Sequence, residues 1–175
     1  GTVTLQDTNV DFNSPADAID AGIVYVPEER GKQGVVVDLP IFQNVSLPSL
    51  GKTSRNGFLK LAKEFALVRD YATRLDLRAS SLSQHAGTLS GGNQQKVIVA
   101  RELSRDLQLV IASQPTRGVD VGSIEYIHAQ VVKARDEGAA VLVVSTELDE
   151  VMALSDRIIV MFRGRIVANL RRDET

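Results

Sequence analysis

The sequence predicts an α/β protein built around a mostly parallel sheet. From residue 107 onward, short apolar runs of strand length alternate with segments of helical periodicity, which is typical of parallel βαβ units. A long stretch before them is dominated by helical periodicity instead. We therefore expect an α/β core formed by residues 1–41 and 106–175, with a helical subdomain, residues 42–105, inserted into it.

Composition narrows the class of protein. A chain of 175 residues that is 43% hydrophobic can bury a real core, and its longest apolar runs are only strand-sized. A formal net charge of −2 gives no basic excess for nucleic acid or for an anionic membrane surface. Because the chain has no cysteine, a disulfide framework and a cysteine-ligated zinc site are excluded.

The first elements are short. Residues 2–10 have the partial alternation of a strand, and Ser14, Pro15 and Asp17 supply the cap, first-turn proline and first-turn acid of a helix. Residues 23–26 then form a buried-strand candidate. That strand runs into a polar, glycine-containing loop, which is a common place for functional residues.

One long amphipathic helix is predicted over residues 58–75. Its apolar positions, which we expect in the core, are Phe58, Leu61, Phe65, Val68, Ala72 and Leu75. Its charged positions, which we expect to face solvent, are Lys60, Lys63, Glu64, Arg69 and Arg74.

The C-terminal part carries the alternating pattern. Strands are predicted at residues 107–112, 139–145 and 157–162, helices at 124–137 and 147–154, and a last strand or hairpin at 166–170. Ile124, Ile127, Val131 and Ala134 recur on one helical face, and Gly138 is suited to end that helix in a left-handed conformation.

Residues 89–97, Leu-Ser-Gly-Gly-Asn-Gln-Gln-Lys-Val, read as a turn that opens directly into a helix. Ser90 can cap the helix, and Gly91 and Gly92 leave their N–H groups open to another molecule. The positive end of the helix dipole lies behind them, so an anion, most plausibly phosphate, fits there. An ordinary capped helix after a glycine turn is the alternative interpretation.

This segment resembles the signature motif of ATP-binding-cassette (ABC) ATPases, in the form typical of sugar and nucleoside importers. The resemblance extends from residue 2 to about residue 170. It implies a partial P-loop NTPase core belonging to the second nucleotide-binding half of a two-cassette importer ATPase, without that half's first strands and P-loop. The location that the resemblance implies is the cytoplasm, at the inner face of the cell membrane.

The resemblance also implies that two nucleotide-binding halves contribute different groups to the same ATP site. Ser90, Gly91, Gly92 and Gln94 would contact an ATP held by the other half's P-loop, and Asp120 would reach across the dimer interface. ATP and Mg²⁺ would thus be shared in trans. The implied partners are that other nucleotide-binding half and the membrane permease subunits, not nucleic acid.

Several positions depart from the family pattern. Ser113 and Gln114 stand where the Walker B segment normally ends in aspartate and glutamate, and Thr146 replaces the switch histidine. A serine carries no charge to hold a hard cation, and a glutamine cannot accept a proton. We therefore expect no catalytic residue in this chain. Thr146 with Asp149 is predicted to form a capping box instead.

The remaining candidate residues are less suited to phosphate binding, catalysis or metal binding. Gly51-Lys52-Thr53 is not a P-loop, because Ser46 stands where the pattern requires glycine. His85 and His128 have no nearby metal-ligand partner in the sequence and are expected to be structural or solvent-facing.

A permease-docking surface is predicted around the loop after residue 26, which resembles the family's Q-loop with Glu28 in place of glutamine. The surface comprises Glu28, Val37, Leu39, Phe42 and Val45. For its apolar members, packing in the core is an equally open interpretation.

Three functions remain in competition. The first is the signature-donating half of an importer ATPase, and the second is a non-catalytic domain for dimerisation or permease docking. The third is an ABC-type ATPase of DNA repair or translation, against which the lack of a basic stripe and of long heptad repeats argues. The Ala-Ser-Gln-Pro-Thr form of residues 112–116 favours nucleoside over sugar import.

Overall fold

The computed structural model describes residues 2–50, 54–55, 58–74 and 79–172. The strands are β1 (Val3–Leu5), β2 (Thr8–Val10), β3 (Ile23–Val26), β4 (Ser54–Arg55), β5 (Phe58–Leu59), β6 (Leu109–Ser113), β7 (Ala140–Val144), β8 (Arg157–Phe162) and β9 (Arg165–Arg171). The helices are α1 (Pro15–Asp20), α2 (Ile41–Ser46), α3 (Leu61–Arg74), α4 (Gly91–Leu103), α5 (Val121–Asp136) and α6 (Leu148–Leu154). A single π-helical turn, Arg30–Gly34, follows β3.

The central sheet is parallel, with the strands in the order β3, β6, β7. Its register places Val24 beside Val110 and Val110 beside Val141. Helix α4 lies in the connection from β3 to β6, and α5 lies in the connection from β6 to β7. The predicted fold class, an α/β core with a parallel sheet, is confirmed.

The two faces of this sheet have different surroundings. On one face Val24, Val26, Val110 and Ala112 are buried in clusters that include side chains of α4 and α5. The opposite face carries large apolar side chains open to solvent, which are Tyr25, Leu142 and Val144, each about half exposed. The core therefore lies on one side of the sheet.

Residues 2–10 form a hairpin rather than one strand, because Gln6 and Asp7 both adopt positive φ angles (47° and 60°) between β1 and β2. Two successive positive φ angles give the tight turn that suits a hairpin. The cap of α1 is as predicted, since Asp17 N–H donates to Ser14 Oγ at 3.3 Å and Ser14 N–H donates to Asp17 Oδ2 at 2.9 Å.

The helix predicted over residues 58–75 begins at Leu61, since Phe58 lies in β5. Phe58 (80% exposed) and Leu61 (57% exposed) are therefore outside the core, contrary to prediction. Glu64 is buried instead of solvated, because Ser46 Oγ donates a hydrogen bond to its carboxylate. Phe65 does pack inward and stacks on Phe42, with ring centroids 4.3 Å apart.

The side chains of Ala72 and Arg74, and the whole of Leu75, lie outside the described residues, as do Gly51, Lys52 and Thr53. Val68 is fully buried, as predicted.

The inserted segment shares its core with the sheet. Ile41 and Val45 of α2 belong to the same buried cluster as Val26 of β3 and Ile98 of α4. The predicted face of α5 is largely buried, and Gly138 after it has a φ of +104°. The domain boundaries at residues 42 and 105 stay a prediction. In the described part of the chain, no helix has both the length and the apolar character that crossing a bilayer requires.

Candidate functional site

Three loops meet at the carboxyl edge of the sheet, where open α/β sheets bind their ligands. They comprise residues 27–34 after β3, residues 114–120 after β6 and residues 145–147 after β7. Arg117 of the second loop forms an ion pair with Glu28 of the first. The second and third loops are joined by side-chain hydrogen bonds as well. The loop of residues 114–120 is therefore held from both sides.

The N-terminus of α4 opens next to these loops. Ser90, the N-cap, is exposed and extended (φ −60°, ψ 157°), and its Oγ accepts a hydrogen bond from Asn93 N–H at 3.4 Å. The first N–H groups of a helix have no partner within it. Gly91 and Gly92 occupy those positions, so this end of α4 offers backbone donors and a positive dipole to an anion.

The two glycines of the signature segment have different surroundings. A Cβ atom on Gly91 would meet the Arg30 guanidinium at 3.4 Å, which is ordinary van der Waals contact. A Cβ atom on Gly92 would overlap the carboxylate of Asp120 and approach Ser123 Oγ at 2.9 Å. Gly92 is therefore needed for the close packing of α4 against α5, whereas a Cβ atom on Gly91 would make only ordinary contacts.

Asp120 is engaged within this chain. It caps α5, accepting hydrogen bonds from Ser123 N–H (3.1 Å) and Ser123 Oγ (2.9 Å). These hydrogen bonds, chiefly the one from the Ser123 hydroxyl, hold the pKa of Asp120 below its ordinary value. Asp120 is nonetheless exposed, and its predicted reach across a dimer interface stays a prediction.

Gln94 faces back towards its own chain. Its amide donates to the carbonyl oxygens of Ala86 (3.4 Å) and Leu89 (3.3 Å), so it supports the loop before α4. On the other flank of α4, Lys96 Nζ lies 5.3 Å from the ring centre of Tyr126 on α5. Burial raises the pKa of Tyr126 to about 12.

The end of β6 carries neutral groups. Gln114, at a φ of +48°, donates through its side-chain amide to Thr146 Oγ1 at 3.2 Å and accepts from Thr146 N–H at 3.3 Å. Ser113 beside it is a second neutral group. The predicted capping box of Thr146 with Asp149 is wrong, because Glu147 is the N-cap of α6 and makes no side-chain capping hydrogen bond.

These residues do not fit a divalent cation. Hard cations prefer charged carboxylates, and Ser113 has none, while the amide of Gln114 is occupied by Thr146. Within the described ranges, no three acidic or histidine side chains cluster in a way that could hold a metal. We assign no step through a metal held by this strand end.

A polar cleft of about 320 Å³ lies beside the signature segment and is lined by Glu28, Glu29, Arg30, Arg117 and Gly118. The sequence-based reasoning did not single out Arg30, although it belongs to the predicted functional loop. Its guanidinium lies within 3.4 Å of the positions that Cβ atoms on Gly91 and Gly118 would take. The cleft therefore brings a positively charged group to the end of α4.

The predicted permease-docking residues are divided by the structure. Phe42 (7% exposed) and Val45 (2% exposed) are core residues, so their assignment to a docking surface is wrong and the core interpretation holds. Val37 and Leu39 are half-buried, and Glu28 is partly exposed and paired with Arg117.

The histidines are separate from the signature segment's open end. His85 is exposed in the loop before α4, while His128 Nε2 lies 3.1 Å from Glu150 Oε1. This second contact, between α5 and α6, was not expected from the sequence because the two residues are 22 positions apart.

Known proteins match nearly the whole chain. The ribose import ATP-binding protein RbsA of Roseobacter denitrificans is 56% identical over 163 residues, which are 93% of this chain and 32% of that protein. RbsA 1 of Rhizobium meliloti is 53% identical over 174 residues (99% and 35%). The guanosine import ATP-binding protein NupO of Bacillus subtilis is 44% identical over 177 residues (100% and 35%). No family model matches the chain.

Solved structures give the same fold. The dimeric post-hydrolysis structure of the ATP-binding cassette MJ0796 bound to ADP and Pi superposes with a TM-score of 0.80 at 22% identity, covering 98% of this chain and 73% of that one. The ADP conformation of the cassette MJ1267 gives a TM-score of 0.70 at 24% identity, covering 99% and 70%.

The fold and the relatives together show that the chain belongs to the ATP-binding-cassette ATPases. Within that family it is related to the ATP-binding proteins of ribose and nucleoside importers. It spans about a third of the length of the curated relatives it matches. The two ribose import proteins share a higher sequence identity with this chain than the guanosine import protein does. The relatives therefore do not support the prediction, made from residues 112–116, of nucleoside rather than sugar import.

Proposed function

We propose that this chain is part of an ABC importer ATPase for a simple sugar or a nucleoside, and that it supplies the signature side of a composite ATP site. The observation that carries the proposal is a juxtaposition. The Ser90-capped N-terminus of α4 is open to solvent, while the neighbouring strand end carries only the neutral Ser113 and Gln114. This chain can therefore bind phosphate without holding the metal.

In this function the chain's own residues bind the terminal phosphate of ATP and orient it. The Gly91 N–H and the dipole of α4 face the terminal phosphate, where they stabilise the charge that develops during transfer. ATP and Mg²⁺ are held by the P-loop of another nucleotide-binding half, and bound MgATP supplies the phosphoryl group that is transferred to water. Ser90 stabilises the N-terminus of α4 by accepting a hydrogen bond from the Asn93 N–H.

The exposed sheet face supports a place within a larger protein. Parallel sheets are normally covered on both faces, yet Tyr25, Leu142 and Val144 are about half exposed here. The relatives are about three times longer, so further segments of such a protein would cover this face. The partners proposed are the other nucleotide-binding half and the permease subunits, at the cytoplasmic face of the membrane.

A non-catalytic dimerisation or permease-docking domain is the second candidate, and one observation favours it. Gly92 is required by packing against Asp120 inside this chain, so its presence does not by itself indicate a phosphate site. The test is therefore better made at Gly91, where an added Cβ atom meets only ordinary van der Waals contacts.

The discriminating experiment compares Gly91→Glu with Gly122→Glu in the full-length protein assembled with its permease. Both changes put an acid in the first turn of a helix, but Gly122 lies on α5. Gly91→Glu should lower steady-state ATP hydrolysis about a hundredfold or more by repelling phosphate, and Gly122→Glu should not. Unchanged hydrolysis by Gly91→Glu would support the non-catalytic candidate.

A further inference from the structure

Glu150 is a buried carboxylate at the junction of three elements. It lies in the first turn of α6 and is 5% exposed. Its Oε1 accepts a hydrogen bond from Thr116 Oγ1 at 2.7 Å and lies 3.1 Å from His128 Nε2. Thr116 is itself buried, at 7% exposure. One oxygen atom thus joins the loop of residues 114–120, helix α5 and helix α6.

Burying the Glu150 carboxylate in this way costs folding free energy if its only role is structural. In the described part of the chain, Glu150 forms no ion pair with lysine or arginine, and its second oxygen, Oε2, is buried without a hydrogen-bond partner. Burying a carboxylate that is only partly satisfied costs free energy that an apolar side chain of similar size would not. A role in holding its partners in place explains why a carboxylate stands there.

Of the elements that Glu150 contacts, the loop of residues 114–120 is the one that leads to the signature helix. Its start is joined to the loop after β7 by the neutral contacts of Gln114 with Thr146, and the Gln114 N–H donates to the carbonyl oxygen of Val144 at the end of β7 at 2.7 Å. The bond of Thr116 to Glu150 joins the loop, on its buried side, to helix α6, which follows the loop after β7. The loop ends at Asp120, which packs against Gly92 of α4. The loop that Thr116 anchors therefore also contacts the signature helix.

We propose that Glu150 is a positioning residue, which fixes the loop of residues 114–120 through Thr116 and so sets the orientation of the α4 N-terminus towards phosphate. The inference rests on the proposed function of that N-terminus. Glu150 itself is buried, touches no nucleotide and takes no part in the reaction. Its loss alters turnover rather than ATP affinity.

The test is steady-state ATP hydrolysis by the full-length protein assembled with its permease. Thr116→Val keeps the shape and removes the hydroxyl, and we expect kcat to fall about tenfold with KM for ATP changed less than about twofold. Thr116→Ser should restore kcat. Glu150→Gln, which can still accept the bond, should lower kcat about threefold, and adding it to Thr116→Val should cause no further loss.

Asp149→Asn, at the exposed position beside Glu150 on the same helix, is the matched control and should behave as wild type. Wild-type kcat in Thr116→Val, additive losses in the double variant, or a lowered unfolding temperature with unchanged kcat would overturn the proposal. If Thr116→Val does not assemble, Glu150→Gln decides by the same criterion. Ser90→Arg measured in parallel tests the signature alone, so a failure of the proposed function is distinguishable.

Discussion

The side-chain amide of Gln114 donates a hydrogen bond to the Thr146 hydroxyl oxygen at 3.2 Å, which joins the end of β6 to the loop after β7. The Thr146 N–H returns a bond to Gln114 Oε1 at 3.3 Å. Both partners are neutral and satisfy each other. The end of β6 is therefore occupied by groups that neither attract a cation nor accept a proton at neutral pH.

Restoring acidic groups at this edge should not create activity. In the full-length protein assembled with its permease, Ser113→Asp combined with Gln114→Glu should change ATP hydrolysis by less than about twofold. Thr146 and Glu28 remain, and catalytic groups that act as a unit are strongly non-additive. Steady-state hydrolysis measures the effect. A gain of an order of magnitude would mean that this strand end belongs to a working site.

The two signature glycines should differ in their effect on stability. Gly92→Ala forces a Cβ atom into Asp120 and Ser123, and overpacking of this kind costs about 1–3 kcal/mol. Gly91→Ala meets only ordinary contacts and should be neutral or slightly stabilising. Urea unfolding of the full-length protein compares them. Equal midpoints for the two variants would contradict the packing described between α4 and α5.

The chain alone should not bind MgATP with useful affinity. It has no P-loop pattern, since Ser46 replaces the required glycine, and Ser113 and Gln114 offer the metal no charge. Calorimetric titration of the folded chain, with circular dichroism as the check on folding, should show no micromolar binding. One-to-one micromolar binding would contradict the assignment of ATP to another half.

Asp120 should stabilise the fold only when it is ionised. Because its pKa is lowered on folding, its contribution is complete above the unfolded value and is lost as the pH falls through the folded value. The stability difference between wild type and Asp120→Ala should therefore shrink between about pH 5 and about pH 3. Asp38→Ala, at an exposed loop position, is the control. A constant difference across this range would contradict the capping role.

Local signals in the sequence predicted more of the fold than long-range contacts did. The caps at Ser14 and Ser90 depend on residues three positions away, so the sequence alone suffices to predict them. Glu64 was expected in solvent because its partner, Ser46, lies 18 positions earlier on another helix. The helix around it was predicted too long because the pairing of β4 with β5 overrides the helical periodicity at Phe58.

The same distinction applies to the candidate site. The glycine-rich start of α4 has a local pattern, and the sequence indicated it. The contacts that assemble the surroundings join residues far apart in sequence, 89 positions for Glu28 with Arg117 and 34 for Thr116 with Glu150. A single sequence carries no pairwise signal at such separations, so these partners became visible only in the folded chain.

The most direct test of the central claim is ATP hydrolysis by Ser90→Arg in the full-length protein assembled with its permease. Ser90 is the exposed cap of α4, and an arginine there would add bulk where phosphate must approach the helix end. Ser83→Arg, an exposed change in the preceding loop, is the control. We predict that Ser90→Arg lowers turnover about a hundredfold or more while Ser83→Arg retains it. Full activity of Ser90→Arg would contradict the claim that this chain supplies the signature side of the ATP site.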